Sequence, residues 1–480
     1  MILKKISINA TSLTNLTFAF FPISFILGNL IINLNILLFC CLGIFHLRSK
    51  ILKTNYNFPI KIILSFFFIV FFSTSLDFIK ILYTEGYEYK NLVTLIKSVT
   101  FFRFFLMLLI VYLLSEFGIL NFKYFFISAA FFPILVSIDI IFQYFFGFNL
   151  IGLEGFKARH IAIGRYNSGF FGDELIAGSY VKNFSFFSIL FLSFKLVNKK
   201  NIQFILTAVV ICILGFGILL AGNKMPIPLF LLGLFLLFFF SDNLKKIILV
   251  GSVSLFIIFY LTSYFDETKK RNFSVAIKAP KYIITQIYNK FLGNEKNNNS
   301  EIEAKEDTEV LEDELDSFGQ LKKRSALRNI DFSTVKMQLF YTAIDLWKQN
   351  KIFGNGIKSF RRDCGRLQEY RADRLCSNHP HNYYIEILTE TGIVGLFVIL
   401  TIGLLFIIFI FKNFRSLRGT KKENLILLAA TISLLIEVFP IRSTGSVFTT
   451  HNATYLVLIA SIILSCRSFL NAKNLASPNQ

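Results

Sequence analysis

Charged side chains make up only 17% of this 480-residue chain, and histidine, cysteine and tryptophan are scarcer still, at five, six and one. Acidic residues are the rarer sign, 30 Asp and Glu against 50 Lys and Arg, which leaves a formal net charge of +20. Such an excess in a soluble chain would suggest nucleic acid, but no RNA-binding or helix-turn-helix pattern is present. There is no P-loop, no dinucleotide fingerprint and no serine nucleophile elbow, so the usual nucleotide and acyl-transfer signatures are missing. No internal repeat is strong enough to suggest two related halves. Met1 to Ile8, with Lys4 and Lys5, leads into an apolar run with no small-residue cleavage site, so the expectation is a retained first span. Cys40, Cys41, Cys212 and Cys466 lie in or near apolar runs and read as packing residues, whereas Cys364 and Cys376 fall in a polar stretch.

What the chain has in abundance is hydrocarbon. It is 54% hydrophobic and 16% aromatic, and runs such as Ile62–Leu76, Phe101–Leu114 and Leu229–Phe240 cannot share one soluble core. A span needs about 20 apolar residues. That ruler predicts an all-α polytopic membrane protein with about twelve spans, at 11–29, 30–47, 58–79, 100–117, 123–147, 176–195, 202–222, 226–241, 246–264, 392–412, 423–440 and 450–469. Basic residues alternate between the connecting loops. One side holds Lys4 and Lys5, Arg48 to Lys61, Lys123, Lys195 to Lys200, Lys245 and Lys246, Lys412 to Lys422, then Arg467 and Lys473. Positive loops stay in the cytoplasm, so both termini are expected inside. The chain then divides into spans one to nine over 1–264, one large outward loop over 265–391, and three spans with a tail over 392–480. Residues 148–175, the Gly222–Pro226 turn and the loop around Arg442 also face outward.

Within the large loop, 293–317 is polar, acidic and almost free of aromatics, which predicts a disordered insertion. Farther on, Met337, Phe340, Tyr341, Ile344 and Trp347 recur at three- and four-residue steps. They predict an amphipathic helix, lying on the membrane surface or packed on its own loop domain. Arg361, Arg362, Arg366, Arg371 and Arg374 follow.

The loop ends in His379-Pro380-His381-Asn382-Tyr383-Tyr384, with Glu386, Glu390, Gly392 and Gly395 beyond, at the lip of a span. Histidine can exchange a proton near neutral pH. Two histidines here are either plain surface residues or working groups. Asn382 suits an N-cap, and Asn382, Glu386 and Glu390 step by four along one face. The positive end of that helix would attract anions and disfavour imidazolium, so a neutral His381 can serve as general base on a hydroxyl. Arginine forks bind phosphate. Outward cations are offered by Arg159 and Arg165, by Lys224, by Arg361 and Arg362, and by Arg442. Cys376-x2-His379-x-His381 with Cys364 has zinc-ligand types, but two cysteines on an oxidising side more often form a disulfide. Asp139 and Glu437 lie inside spans and need partners or a cavity; they would line a site or mark a transporter's proton path.

His381-Asn382, nine residues, then Gly392-x-x-Gly395 resembles the signature of the O-antigen ligase and O-antigen polymerase superfamily. Arg165-Tyr-Asn-Ser-Gly169-Phe resembles its first outer-loop segment. Ala221-Gly222-Asn223-Lys224 resembles its Gly-Glu-Arg or Ser-Arg turn, and Trp347 through Gly354-x-Gly356-x-x-x-Phe360 resembles the pattern upstream of the histidine. The likeness runs from about residue 165 to 400. It implies a GT-C-like, metal-independent glycosyltransferase without a cofactor, in the bacterial inner membrane. Such an enzyme moves a glycan from undecaprenyl diphosphate to lipid A–core or another glycan acceptor at the periplasmic face. By position His381 would be the catalytic base, with Arg165 and Lys224 on the diphosphate, joined by Arg361 and Arg442. His379, Asn382, Glu386, Gly392 and Gly395 would support it. This chain has Lys224 where the family usually has Arg, and a lysine neutralises phosphate without forking it. The acidic 293–317 insertion is also atypical. The resemblance equally admits as acceptor a second lipid-linked repeat, as in a polymerase, or a protein. The reading of another class is a multispan transporter or flippase; such proteins tend to show paired halves and broken helices near the midplane.

Overall fold

The computed structural model describes residues 9–87, 89–154, 166–196, 200–266, 269–270, 335–371, 374–418 and 422–475. Lys4, Lys5, Arg159, Arg165 and the acidic 293–317 stretch lie outside the described residues. Among the described residues the fold is helical; the β-bridge between Phe148 and Glu154 is isolated and belongs to no strand.

The chain opens with α1 (Ala10–Ala19), capped by the Asn9 side chain, and α2 (Phe21–Leu27). The sequence predicts one span here; the two helices instead bend by 51° at Phe20, just before Pro22. Then come α3 (Asn29–Leu47), the short α4 (Lys50–Lys53), and an antiparallel pair, α5 (Phe58–Thr84) and α6 (Tyr89–Glu116). The α6 helix starts eleven residues before the predicted span at 100, because Lys90 and Lys97 ride on a helical extension beyond the apolar run. Next are α7 (Phe122–Phe146), α8 (Ala177–Phe191) with a π-turn at Leu192–Leu196, α9 (Lys200–Leu220), α10 (Pro226–Phe240) and α11 (Lys245–Phe265). Two helices of the large loop, α12 (Val335–Gln349) and α13 (Ser359–Tyr370), precede α14 (Tyr383–Lys412). The chain closes with α15 (Phe414–Leu417), α16 (Lys422–Glu437) and α17 (Thr450–Leu475).

Seven of these helices are long and apolar enough to cross a membrane, or eight if the bent pair α1–α2 is one span. The helices α8, α10, α16 and the apolar part of α17 are shorter than the about 20 residues a straight crossing takes. Aromatic rings do much of the packing. Phe18 lies 5.5 Å from Phe39 and 5.1 Å from Phe125, and Phe67 lies 5.1 Å from Phe101. Between apolar helices in lipid such contacts act through shape and dispersion, since the tails offer no hydrophobic gain.

The loop helix α12 does not use the predicted stripe as its core face. Leu339, Thr342, Ala343 and Leu346 are buried, and Leu339, Ala343 and Leu346 form a small cluster with Phe360 and Cys364 of α13. Met337, Phe340, Tyr341, Ile344 and Trp347 are half-buried on the neighbouring side. Leucine and alanine one residue off the aromatic stripe carry the close packing, and the larger side chains border it. A disulfide joins Cys364 to Cys376 with Cα atoms 5.0 Å apart and ties α13 to the segment leading to the histidines.

A candidate functional site at the head of α14

Pro380 is buried, and His381 after it takes a left-handed backbone, φ +58°. A non-glycine residue there costs of order 1–3 kcal/mol. The turn sets Asn382 in an extended conformation, where its Oδ1 accepts from the N–H groups of Tyr384 at 3.0 Å and Ile385 at 3.2 Å. Its Nδ2 donates to the Pro440 carbonyl at 2.9 Å. Asn382 is therefore both the cap of α14 and a clamp on the loop after α16.

That loop holds the histidines. Thr444 N–H donates to the His381 carbonyl at 2.8 Å, and His379 Nε2 lies 3.1 Å from the Thr444 carbonyl. A carbonyl only accepts, so Nε2 carries the proton and His379 is the Nε2–H tautomer. The two imidazoles stand 4.2 Å apart, centroid to centroid. Burial pushes His379 down to about 4, helped by the nearby His381. Burial also lowers His381, with the Lys336 ammonium adding to the effect. Both rings are thus neutral at neutral pH, and His381 remains only half-buried.

A buried charge network sits under the same turn. Glu437, at the end of α16, pairs with Lys182 of α8 and accepts from Arg442 at 2.9 and 3.0 Å. Tyr383 donates its hydroxyl to Glu437 at 2.8 Å, and Tyr384 donates to the Val438 carbonyl at 2.6 Å. The polar partner that an intramembrane Glu437 requires is thus supplied three times over. Lys182 had a signal in the sequence, a lone cation inside an apolar span, but nothing there linked it to Glu437. Asp139 finds a different partner, the Leu150 N–H at 2.8 Å.

The far end of the first α14 segment is held by α5 and by the Gly354–Lys358 turn. Glu386 accepts from Val447 N–H at 2.8 Å and Glu390 from Lys358 N–H at 2.6 Å. Ser73 donates to the Glu390 carbonyl at 2.8 Å, and Gly356 N–H to the same oxygen at 2.9 Å. The helix then breaks at Gly392, φ +66° and ψ −166°. Glu386 and Glu390 thus hold backbone in place.

The cations expected to face outward are dispersed. Arg442 is buried against Glu437. Arg361 is exposed and has no carboxylate partner among the described residues. Its neighbours are committed: Arg362 to Asp77 at 2.7 Å, Arg366 to Glu85 at 2.8 and 3.1 Å, and Arg371 and Arg374 to Asp345 at 3.0 and 2.7 Å. Lys224 is half-buried in the turn between α9 and α10. Asn223 beside it donates to the Leu175 carbonyl at 2.7 Å. Asn167, two residues past Arg165, donates to the Leu220 carbonyl at 2.7 Å, and Lys269 reaches the same oxygen at 3.1 Å. Burial lowers Lys269 to about 8; sequence reasoning passed over it. The α8 helix connects this turn to the histidines, since Gly178 packs against Ala221 while Lys182 holds Glu437.

Among the described residues no three His, Cys, Asp or Glu side chains gather as a set of metal ligands. The Cys364–Cys376 bond takes both sulfurs out of the zinc set that the spacing allowed.

No curated protein matches the chain. The matched part of a family model described as O-antigen ligase is residues 207–400, which takes in Lys224, the Gly354-x-Gly356 turn, His381 and Gly395. This match supports the O-antigen ligase and O-antigen polymerase superfamily as the one to which the chain is related.

Proposed function

We propose that this protein transfers a glycan from undecaprenyl diphosphate to an acceptor hydroxyl at the periplasmic face of the bacterial inner membrane. The observation that carries the reading is a neutral, half-buried imidazole at position 381, on a strained turn, within the interval that matches the ligase family. His381 takes the proton of the acceptor hydroxyl. The hydroxyl oxygen attacks the anomeric carbon, the bond to the diphosphate oxygen breaks, and undecaprenyl diphosphate leaves with the electron pair. Its charge is met by cations arranged in advance, which lowers the barrier without reorganisation. In this reading Arg165, Lys224 and Arg361 are the diphosphate-binding cations, Arg442 stays in the Glu437 network beside the histidine turn, and no metal is required. Lys269 donates to the Leu220 carbonyl just ahead of the turn that carries Lys224, and the two lysines would act together. His379, Asn382, Glu386, Gly392 and Gly395 fix the base and its helix.

Twelve crossings follow if α1–α2 counts as one and α8, α10, α16 and α17 each cross through short or tilted passage, with both termini cytoplasmic. The acceptor is lipid A–core in the ligase reading and a second lipid-linked glycan in the polymerase reading.

Purified protein, a lipid-linked donor and candidate acceptors give the test. His381→Ala should abolish transfer at normal protein level, and addition of a chelator should leave wild-type transfer intact. Substantial transfer by His381→Ala would remove the assignment, and chelator sensitivity would remove metal independence.

A further inference from the structure

Arg103, on α6, is a cation within the span predicted at 100–117. It sits thirteen residues from Glu116 at the other end of the helix, about 20 Å along the axis. With Glu116 at the inner interface, that places the guanidinium in the outer third of a hydrocarbon layer about 30 Å thick. Phe101, half a turn away, packs 5.5 Å from Phe448, so Arg103 lies level with the loop that carries Thr444 and with the start of α17.

An arginine at such depth is expected to pair with an acid or to mark a ligand path. Among the described residues no carboxylate pairs with Arg103. Its Nη1 donates to the Thr100 carbonyl at 2.8 Å and its Nη2 to Thr450 Oγ1 at a long 3.3 Å. Its Nε is buried with no hydrogen-bond partner. The face it shares with Ile96, Val99 and Thr100 is exposed. The guanidinium is half-buried against the Phe104 ring at 4.3 Å, and Nη1 and Nη2 each keep one N–H beyond the bonds named, in a setting where water is scarce.

We propose that Arg103 is the centre of a binding site for the phosphate of a lipid, approached along the exposed face of α6. A fork of N–H donors fits a phosphoryl group in two-point contact, and apolar Ile96 and Val99 suit the chain attached to it. Two ligands share that chemistry, an anionic phospholipid of the bilayer and a prenyl diphosphate. The site itself rests on membrane placement; only the second ligand rests on the glycan-transfer reading above.

The full-length protein in phosphatidylcholine nanodiscs separates these outcomes, with binding followed by native mass spectrometry. The probes are farnesyl diphosphate, phosphatidylglycerol, and farnesol as the uncharged control. Wild type should bind one or both phosphorylated probes and not farnesol. Arg103→Gln should weaken that binding about tenfold or more, the size expected for charged hydrogen bonds. Arg103→Lys, which keeps charge and loses the fork, should fall between, and it decides the matter if the glutamine variant does not fold. Farnesyl diphosphate bound and not displaced by phosphatidylglycerol assigns the site to a prenyl diphosphate. Displacement by phosphatidylglycerol assigns it to bilayer lipid and leaves the glycan-transfer reading untouched. Equal affinity in wild type and both variants, or no binding of either phosphorylated probe, overturns the proposal.

Discussion

Gly354 and Gly392 meet backbone to backbone, although 38 positions separate them in the chain. A Cβ on Gly354 would lie 2.5 Å from the Glu390 carbonyl carbon and from the Gly392 nitrogen, and a Cβ on Gly392 would overlap the Ile352 carbonyl. Both have positive φ, +72° and +66°. The break in α14 exposes N–H groups that the Lys351–Gly354 turn fills, with Ile393 donating to Lys351 O at 3.0 Å and Val394 to Ile352 O at 3.3 Å. The Gly-x-Gly turn and the glycine after the histidines are thus one interlocked joint. It aims the segment that starts at His381 across from α16 to α5.

Gly392→Ala combines left-handed strain with steric overlap. Together these should cost roughly 3 kcal/mol or more. The expected outcome is a large loss of folded protein in detergent by fluorescence-detected size exclusion, and Gly354→Ala should match it. Wild-type thermal stability in both would contradict the joint.

The lowered imidazoles set a pH dependence with a definite sign. A general base must be neutral, and His381 is held below its ordinary value of 6.5. Transfer rate should stay level from pH 8 to 6.5 and fall only under more acid conditions. An acid limb centred above 6.5 would contradict a buried neutral base. Stability follows the same direction through His379, whose folded value is about 4. Between pH 6.5 and 4 the unfolded chain binds the extra proton, so stability is fully present above 6.5 and drops as pH falls through that window. The fall from 6.5 to about 4 sets roughly 3 kcal/mol as the upper scale. Melting temperature against pH, in wild type and His379→Asn, measures it; the variant should lose most of the slope.

Much of this architecture was legible in the sequence for a simple reason. Long apolar runs with basic loops leave few alternatives, and a His-Asn pair before a glycine step is a local signal. The Asn382 cap, the Cys364–Cys376 pairing and the start of α14 all depend on neighbours in the chain. What escaped depends on distant partners. Arg442 reads in sequence as an outward cation, yet Glu437 and Tyr383 draw it into a buried network. Of the loop arginines, Arg361 and Arg362 read as phosphate ligands, yet Asp77 occupies Arg362, and Glu85 and Asp345 take Arg366, Arg371 and Arg374. The α6 extension escaped because lysines on a helix that outruns the bilayer look like loop.

Charge balance in the Glu437 network makes a double-substitution prediction. Glu437→Gln leaves Lys182 and Arg442 buried together without a counter-charge, and stranding buried charge costs about 3–5 kcal/mol. Lys182→Met should be milder, because Glu437 keeps Arg442. Adding Lys182→Met to Glu437→Gln should recover part of the loss, since one stranded cation is gone. Thermal melts of the three variants measure the coupling; additive losses would show that the charges do not act as a unit.

The Cys364–Cys376 bond closes a short loop with a sequence separation of 12 between its ends. Removing it should cost about 2–3 kcal/mol on chain-entropy grounds. The effect should be local, because the buried partners of α13 are mainly Leu339, Ala343 and Leu346 of α12, while His381 is held separately by Asn382 and Thr444. Cys364→Ser with Cys376→Ser should therefore lower the melting temperature and raise protease cleavage between 364 and 378, while the acid limb of transfer stays where it is. A shifted limb in the double serine variant would mean that the bridge, and not the α16–α17 loop, fixes the surroundings of the imidazole.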